Sequence, residues 1–256
     1  MTSQPSAYPD LVGKVAVVTG GSRGIGAETA RALAAHGVAV AVNGRDDAAI
    51  KAVVDSVESA GGRAIGVPAD VTDPDALDRL RDRVEAELGP VDILAAYAGG
   101  DGDPVPVAQI TPERWREVLE INATATFLTV RAFLPGMTGR GRGSIVTMAS
   151  TAGRLPGGAS AAYATAKAGV VMFTRHVALE VAKQGVRVNC LSPAAVLTDR
   201  LGRMPEEIQA RVAAAHPLGR IGQPADVASA TLFLASDSSS WITGVTLDVA
   251  GGRIMI

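Results

Sequence analysis

The chain has 256 residues and a formal net charge of −2, from 24 lysine and arginine residues against 26 aspartate and glutamate residues. Its basic residues are scattered, which excludes a clustered surface for nucleic acid or an anionic membrane. A single cysteine excludes an internal disulfide, and no apolar run reaches the roughly 18 to 20 residues that span a bilayer. Residues 1–10 also lack the features of a signal peptide, so we expect a cytoplasmic protein that binds neither nucleic acid nor membrane.

Short apolar runs alternate with longer helical patterns through the first hundred residues. The runs are "KVAVVT" from Lys14, "VAVAVN" from Val38, "RAIGVPAD" from Arg63 and "VDILAAYAG" from Val91. This alternation predicts a parallel sheet with helices on both faces. The runs are apolar almost throughout, as expected for strands that are covered on both sides.

The second half continues the same pattern. A long helical segment from Thr111 to about Met137 precedes the strand-like residues 144–150, and a helix from about Tyr163 to Lys183 precedes a strand at 186–192. Cys190 in that strand is predicted to be a small buried hydrophobe. A helix after Pro224 and a short strand at 245–251 follow. We predict a single α/β domain over residues 11–256, a Rossmann-like doubly wound parallel sheet of about seven strands, after a flexible tail at residues 1–10.

A glycine-rich turn joins the first strand to the first helix. Its sequence, "TGGSRGIG" from Thr19 to Gly26, has glycines at 20, 24 and 26. These permit a tight turn and a close approach of the backbone to a pyrophosphate at the start of a helix. An ordinary strand-to-helix turn is the alternative, because an isolated glycine fingerprint is a weak signal. The position in the first βαβ unit favours a dinucleotide site.

Several motifs occur together in a characteristic order. Thr19-Gly-x-x-x-Gly-x-Gly26 is followed by Ser150 and, thirteen residues later, by Tyr163-x-x-x-Lys167; "SPAAVLTD" begins at Ser192. This arrangement resembles the short-chain dehydrogenase/reductase family, including members similar to 3-oxoacyl-carrier-protein reductase, over about residues 12–252. The resemblance implies an NADP(H)-dependent oxidoreductase that passes hydride between nicotinamide and a small-molecule carbonyl or alcohol substrate.

Four residues are predicted to form a catalytic tetrad. Residues four apart share a helix face, so Tyr163 and Lys167 point into one site, where a neighbouring ammonium lowers the pKa of a phenol from about 10 and makes a general acid. Ser150 is suited to donate a hydrogen bond to the carbonyl oxygen. By resemblance, Lys167 also holds the nicotinamide ribose and Asn122 holds a water in a proton relay. Each residue also has a purely structural explanation. Ser150 could satisfy backbone groups at a strand end, Tyr163 and Lys167 could lie on a solvated helix face, and Asn122 could pack or cap a helix.

The resemblance also implies a set of cofactor contacts. They are Gly20, Ser22, Arg23, Gly24, Ile25, Gly26, Asn43, Arg45, Asp70, Val71, Ala98, Gly99, Tyr163, Lys167, Pro193, Val196 and Thr198. The second strand ends without an acid for the ribose 2′-hydroxyl, and Arg45 lies where NADPH-dependent relatives place a basic residue, so NADP(H) is predicted over NAD(H). Arg23 is a second candidate for the phosphate, and Asp70 is expected near the adenine amine. Asp46, with its neighbour Asp47, keeps NAD(H) possible.

Two positions depart from the family pattern, and the histidines match no metal site. Tyr97 stands where the family has a strand-stabilising asparagine, which leaves its role open, and Ala194 replaces the usual glycine. His36, His176 and His216 lack metal-like spacing and are expected at the surface or at helix ends, so no metal is predicted.

Substrate and assembly are predicted from the second half. By resemblance, residues 199–216 form the lid over the substrate. Leu201, Met204, Ile208 and Val212 recur there at helical spacing, which predicts a largely apolar free ketone. An amphipathic helix packed on the core is the alternative explanation of this spacing. A 3-oxoacyl-carrier-protein reductase is the alternative, although Gln184 stands before the glycine where such reductases place a basic residue. Arg140 and Arg142 offer an acidic carrier a docking surface. A non-catalytic nucleotide sensor is the alternative of another class.

A homotetramer is the predicted assembly. The helical segments at about 117–137 and 163–183 carry more apolar and small residues than one core-facing stripe requires. By resemblance, these helices pair across a two-fold axis and the C-termini, here "GGRIMI", also pack together.

Overall fold

Seven parallel strands form one sheet in a computed structural model that describes residues 8–100 and 102–255. The strands are β1 (Val15–Thr19), β2 (Ala39–Gly44), β3 (Arg63–Pro68), β4 (Ile93–Ala96), β5 (Gly143–Met148), β6 (Val186–Pro193) and β7 (Thr246–Val249). Their order across the sheet is β3-β2-β1-β4-β5-β6-β7, and every neighbouring pair is parallel. The doubly wound α/β fold predicted from the alternating pattern is confirmed.

Nine α-helices connect the strands in the described part of the chain. They are α1 (Gly24–Ala35), α2 (Asp47–Ser59), α3 (Pro74–Glu87), α4 (Pro112–Leu119), α5 (Ala125–Arg140), α6 (Ala161–Val181), α7 (Asp199–Gly202), α8 (Glu206–Ala214) and α9 (Pro224–Ala235). Among the described residues, no helix is long and apolar enough to cross a membrane.

Two hydrophobic cores cover the two faces of the sheet. Alternate residues of a strand face opposite sides, so Val18 packs with one core and Val17 with the other. The first core includes Leu33 of α1, and the second includes Leu80 of α3 and Phe133 of α5. Cys190 is fully buried in β6, and burial raises the pKa of its thiol, as expected for a packing residue.

The site position follows from the strand order. The chain builds β1, β2 and β3 outward in one direction and then crosses to β4 on the other side of β1. Neighbouring connections therefore diverge at the carboxyl ends of β1 and β4, where doubly wound sheets open a crevice. Thr19 pairs with Ala96 at this point, directly before the glycine-rich turn.

Two predicted boundaries are corrected. The predicted helix from Thr111 to Met137 is interrupted by a π-helical turn at Glu120–Thr124, where the Ala125 N–H donates to the Glu120 carbonyl. The predicted tail ends earlier than residue 10, because Pro9–Leu11 form a 3₁₀ turn, Leu11 is fully buried, and the Asp10 carboxylate accepts hydrogen bonds from Lys14 and the Asp237 N–H. Residues 1–7 of that tail lie outside the described residues, and the single-domain boundary remains a prediction.

Candidate active site

The glycine-rich turn packs against itself too closely to admit side chains. Gly20 has φ of +64°, and a Cβ atom there would lie 3.1 Å from the Ala98 backbone. A Cβ atom on Gly26 would overlap the Gly20 carbonyl oxygen. Gly24 has φ of +51° and faces the Thr198 methyl group. Gly20 and Gly24 are therefore needed because side chains are strained at positive φ, and Gly26 is needed because a side chain would overlap the backbone.

The start of α1 is suited to an anion. Arg23 is the residue before the helix, and among the described residues no side-chain hydrogen bond caps this end of it. The first N–H groups of a helix lack partners within it and carry the positive end of its dipole. The uncapped start of α1 and the glycine cradle, formed by Gly20, Gly24 and Gly26, therefore fit the pyrophosphate of a dinucleotide.

Three adjoining cavities make one cleft along the carboxyl ends of the strands. The first, of 330 Å³, and the second, of 580 Å³, share Gly20, Arg23 and Gly99. The third, also of 580 Å³, shares Ile25 and Thr198 with the second. Predicted cofactor residues line the first two cavities: Gly20, Ser22, Arg23, Gly24, Ile25, Gly26, Asn43, Arg45, Asp70, Val71, Ala98, Gly99 and Thr198.

Two of the tetrad residues face the third cavity. Ser150 follows β5 and caps the 3₁₀ turn Thr151–Gly153, where its hydroxyl accepts a hydrogen bond from the Ala152 N–H. Tyr163 lies in the first turn of α6, which Ser160 caps. Both side chains line the cavity that adjoins the glycine cradle. The structure thus brings together a hydroxyl and a phenol that are thirteen residues apart in sequence.

Lys167 lies one turn further along α6 and is almost completely buried. Its Nζ donates a hydrogen bond of 2.9 Å to the Met148 carbonyl and lies 5.6 Å from the centre of the Tyr163 ring. Burial lowers the pKa of Lys167 to about 8 because the charged form is poorly solvated there. The ammonium therefore still predominates at pH 7.

A family model described as enoyl-(acyl-carrier-protein) reductase matches residues 20–253. The chain belongs to the short-chain dehydrogenase/reductase family. It is 40% identical to cis-4-hydroxycyclohexanecarboxylate dehydrogenase of Sinomonas cyclohexanicum, over 93% of this chain and 96% of the relative. It is 36% identical to the 3-oxoacyl-(acyl-carrier-protein) reductase FabG of Escherichia coli, over 95% and 98%. A solved 3-oxoacyl-(acyl-carrier protein) reductase from Brucella melitensis superposes with a TM-score of 0.93 at 32% identity, covering 100% of this chain and 97% of that one.

Membership makes this protein an oxidoreductase of CH–OH and C=O groups that uses a nicotinamide cofactor. The resemblance seen in the glycine turn, the serine and the Tyr-x-x-x-Lys pair is confirmed at the level of the family. The comparisons name both a carrier-protein reductase and a dehydrogenase of a free ring alcohol, so they leave the substrate class open.

The two arginines that were predicted to bind the cofactor phosphate, Arg23 and Arg45, both line the 330 Å³ cavity but have different partners. Arg23 forms an ion pair with Asp46, which also caps α2 through the Ala49 N–H. That backbone bond and the charge of Arg23 lower the pKa of Asp46. Arg45 forms no such pair among the described residues and lines the 330 Å³ cavity. Arg45 is therefore better placed than Arg23 for a phosphate.

Other predicted cofactor residues have structural contacts of their own. The Asn43 amide donates to the carbonyls of Val67 and Ala69, which ties β2 to β3. Asp70 accepts from the Thr72 N–H and hydroxyl, and these bonds lower the pKa of Asp70. Pro193 is buried at the last position of β6, and Val196 is buried at a β-bridge. Asn43 and Asp70 line the first cavity and Val196 lines the third, whereas Pro193 lines none of the three.

Asn122 lies in the π-helical turn and is fully buried. Its amide donates to the carbonyls of Gly100 and Val118, both at 2.9 Å, and its side-chain oxygen accepts from the Gly100 N–H at 3.0 Å. The Asn122 side chain is thus occupied in fixing the loop after β4. A π-helical turn inside an α-helix is often found at a functional site, and this one aims Asn122 at that loop.

Tyr97 takes the place of the family's asparagine by binding a different element. Its hydroxyl lies 2.6 Å from the Thr231 hydroxyl on α9, and burial raises its pKa. The Thr19 hydroxyl accepts from the N–H groups of Tyr97 and Ala98 and holds the end of β4 beside the glycine cradle. The motif contained Thr19, but its sequence pattern gave no signal of this role.

Gly153 is a second residue that the sequence interpretation missed. A Cβ atom on Gly153 would lie 2.6 Å from the Ala168 N atom and the Lys167 carbonyl carbon. The turn that carries Ser150 can pack against α6 only because this residue has no side chain. Nothing near Gly153 in the sequence reveals that contact.

The predicted lid at 199–216 is two short helices instead of one. Pro205 separates α7 from α8, since a proline disfavours helical conformation in the residue before it. Leu201 and Met204 line the third cavity, whereas Ile208 is 36% exposed on α8. Only half of the predicted apolar stripe therefore faces the cavity.

His216 lies at a helix end, which is one of the two kinds of position predicted for the histidines. It follows α8, as a helix-end residue would, but it is buried, and its Nδ1 bonds the Val212 carbonyl. It borders a separate 210 Å³ cavity with Asp248. Among the described residues, no group of three or more histidine, cysteine or acidic side chains is arranged to hold a metal ion.

Proposed function

We propose that the protein is an NADP(H)-dependent ketoreductase with Tyr163 as its proton donor. The observation that carries this proposal is that Ser150 and Tyr163 line one cavity, which adjoins the glycine cradle through Ile25 and Thr198. A substrate in that cavity has a phenol and a hydroxyl on one side and the dinucleotide cleft on the other. A non-catalytic sensor does not need this arrangement.

The residues divide the chemistry of reduction between them. Bound NADPH supplies the hydride. The Ser150 hydroxyl donates a hydrogen bond to the carbonyl oxygen as negative charge develops there. The Tyr163 hydroxyl gives its proton to that oxygen, and the Lys167 ammonium stabilises the phenolate that remains. Lys167 also lies beside Gly99 at the base of the cleft, where it is within reach of the nicotinamide ribose.

A proton must return to Tyr163 after each turnover. Because the Asn122 side chain is occupied by Gly100 and Val118, we assign the relay contact to its backbone carbonyl. That carbonyl accepts from the Thr126 hydroxyl at 2.7 Å and has a second lone pair for a water.

Substitution of Tyr163 by phenylalanine tests the mechanism. The ring is kept and the proton is removed, so kcat is expected to fall on the order of 10²-fold or more. Tyr8→Phe is the matched control, because Tyr8 packs against His36 away from the cleft. Near-parent turnover of Tyr163→Phe with normal NADPH binding would show that another group donates the proton. Failure of the parent enzyme to oxidise NADPH with any carbonyl would favour the sensor.

The cofactor preference rests on Arg45. A guanidinium forms paired, charge-assisted hydrogen bonds with a phosphate, and the nearby acid Asp46 is occupied by Arg23. We expect a higher kcat/KM with NADPH than with NADH, and Arg45→Ala is expected to remove most of that difference. Arg31→Ala is the control, because Arg31 is a half-buried arginine on α1 that does not line the cleft. Equal use of the two cofactors by the parent enzyme would refute the preference.

The proposed substrate is a free, largely apolar ketone. Leu201 and Met204 contribute apolar surface to the catalytic cavity, and one relative is named for a dehydrogenase of a free ring alcohol. The alternative is a 3-oxoacyl thioester on a carrier protein, because another relative is named for that reaction. The test compares bulky free ketones with the carrier-bound thioester. A far higher kcat/KM for the carrier-bound substrate, lost at high salt, would favour the alternative.

A homotetramer is the proposed assembly. Exposed apolar side chains occur on α4 to α6, where Trp115, Phe127 and Leu179 are 36%, 46% and 82% exposed, and Leu179 is the most exposed of them. A second group follows α9 and the edge strand β7, where Trp241 is 99% exposed and Met255 is 77% exposed. Two such surfaces suit two different two-fold contacts. Light scattering that returned a 26.0 kDa monomer at micromolar concentration would refute it.

A further inference from the structure

We infer that Arg253 recognises a carboxylate on the substrate, so that the ketone is a keto acid whose carboxylate lies apart from the reacting carbon. This inference rests on the proposed ketoreductase function and names its substrate class. Arg253 lines the same 580 Å³ cavity as Ser150 and Tyr163.

The backbone fixes the position of Arg253 at the cavity. After β7, Gly251 and Gly252 have φ of +55° and +83°, values that favour glycine, and they turn the chain back on itself. The Arg253 N–H donates to the Ala250 carbonyl at 2.9 Å, and a Cβ atom on Gly252 would lie 2.9 Å from Pro217. Ile254 is buried and lines the same cavity. The turn is therefore packed on both sides of the arginine.

Arg253 is the only charged side chain among the described residues that line this cavity. The other lining residues are apolar, small or hydroxyl-bearing. The guanidinium has five N–H donors, of which one contact is made, from Nη1 to the Ala215 carbonyl at 3.2 Å. Within the described part of the chain it forms no ion pair. A positive charge thus borders the catalytic cavity, and the residues that the structure describes supply no counter-ion for it.

The Ala215 contact has a second explanation, which is that Arg253 caps the end of α8. A cation at a helix C-terminus is stabilising, and this contact connects the C-terminal turn to the lid. The cap uses one donor, however, and leaves others for the paired geometry that a carboxylate accepts. A single guanidinium balances the single charge of a carboxylate. A phosphate on a carrier arm is the other source of anionic oxygens.

A pair of matched substrates tests the inference. 4-Oxocyclohexanecarboxylate and its carboxamide have the same ring and nearly the same shape, and they differ in charge. We expect kcat/KM for the acid to exceed that for the amide about tenfold or more, because hydrogen bonds to charged groups are the stronger ones. Arg253→Gln is expected to bring this ratio close to one, and Arg253→Lys to leave an intermediate ratio. Arg211→Gln removes an exposed charge from α8 outside the cavity and is expected to keep the ratio.

The ratio of kcat/KM for the acid to that for the amide distinguishes carboxylate recognition by Arg253 from a structural effect on the lid. If Arg253→Gln lowered activity on the acid and the amide equally, Arg253 would be only a helix cap and the inference would be wrong. Equal reduction of both compounds by the parent enzyme would also refute the inference, although the ketoreductase proposal would stand. A phosphate source would be indicated if Arg253→Gln affected acetoacetyl-coenzyme A but not the keto acid or the acetoacetyl thioester of N-acetylcysteamine. That result would overturn the inference as well.

Binding provides a readout that does not depend on turnover. Calorimetric titration of the NADP⁺-loaded enzyme with cyclohexanecarboxylate is expected to give a Kd at least tenfold weaker in Arg253→Gln than in the parent. If no ketone were reduced, the ketoreductase proposal would fail, and this titration would still decide whether Arg253 binds a carboxylate. An unchanged Kd would exclude it.

Discussion

The glycine turn at residues 19–26 and the lid at residues 199–216 border the same cleft but are built differently. In the turn, backbone atoms touch backbone atoms, and a Cβ on Gly26 would overlap the Gly20 carbonyl. In the lid, side chains make the contacts, and a Cβ on Gly202 would meet nothing within 4 Å. The turn therefore dictates residue type, whereas the lid tolerates many residue types. We expect the turn to set the cofactor and the lid to set the substrate.

Paired glycine substitutions provide the largest test of this difference. Gly26→Ala forces the turn away from α1, so we expect NADPH binding to weaken on the order of 10²-fold, since overpacking of a tight contact costs about 1–3 kcal/mol or more. Gly202→Ala is the control and is expected to leave the NADPH Kd and the melting temperature near their parent values. Fluorescence titration measures the NADPH Kd of both variants. Similar effects of the two changes would remove the distinction between the regions.

Burial of the Lys167 ammonium lowers the stability of the fold. Its pKa of about 8 in the folded chain is below its ordinary value of 10.5, so the unfolded chain binds more protons between those values and stability rises with pH there. Below pH 8, burial of the ammonium lowers the free energy of unfolding by its full amount, about 3 kcal/mol. The hydrogen bond to the Met148 carbonyl offsets about 1 kcal/mol of this loss. Lys167→Met is therefore expected to lower kcat on the order of 10²-fold while stabilising the fold by about 2 kcal/mol.

Urea denaturation at several pH values measures this gain. The gain is expected to be largest below pH 8 and to shrink between pH 8 and 9.5, as the parent loses its penalty. Lys183→Met, at an exposed lysine after α6, is the control and is expected to show no such pH dependence. A gain that stayed constant over that range would mean that burial of the ammonium is not its origin.

Gly153 makes a similarly close contact with backbone atoms on the catalytic side of the cleft. Gly153→Ala separates the Ser150 turn from α6, and we expect kcat to fall roughly tenfold or more because small misplacements of reacting groups are costly. The NADPH Kd is expected to remain unchanged. Gly139→Ala is the control, since a Cβ there meets nothing within 4 Å. Parent-like kcat in Gly153→Ala would show that the turn adjusts without moving Ser150.

The smallest expected effect is at Tyr97. Tyr97→Phe removes the hydrogen bond to Thr231, whose hydroxyl still donates to the Val227 carbonyl at 2.9 Å. The loss in unfolding free energy is therefore expected to be about 1 kcal/mol. Combined with Thr231→Val, the total loss is expected to be smaller than the sum of the two single losses, since both changes remove the hydrogen bond between Tyr97 and Thr231. Fully additive losses would mean that the two hydroxyls act independently.

The sequence predicted the parts of this molecule that depend on local pattern or on backbone geometry. Apolar runs predicted the strands, and the three glycines predicted the cradle because only glycine permits its conformation. The sequence did not predict the pairing of Arg23 with Asp46, the break at Pro205 within the lid, or the cavity position of Arg253. These depend on which distant residues meet in three dimensions, and no periodicity records such contacts.

The two tryptophans of the chain occur one on each of the apolar surfaces proposed for assembly. Trp115 is on α4, and Trp241 precedes β7 and is almost fully exposed in the single subunit. Indole emission shifts to shorter wavelength when the ring leaves water, so subunit association changes the surroundings of both rings, whereas unfolding of an isolated subunit hardly changes those of Trp241. In the proposed tetramer, the emission of Trp241 therefore reports on association more than on folding, and a denaturation curve recorded by fluorescence is expected to depend on protein concentration.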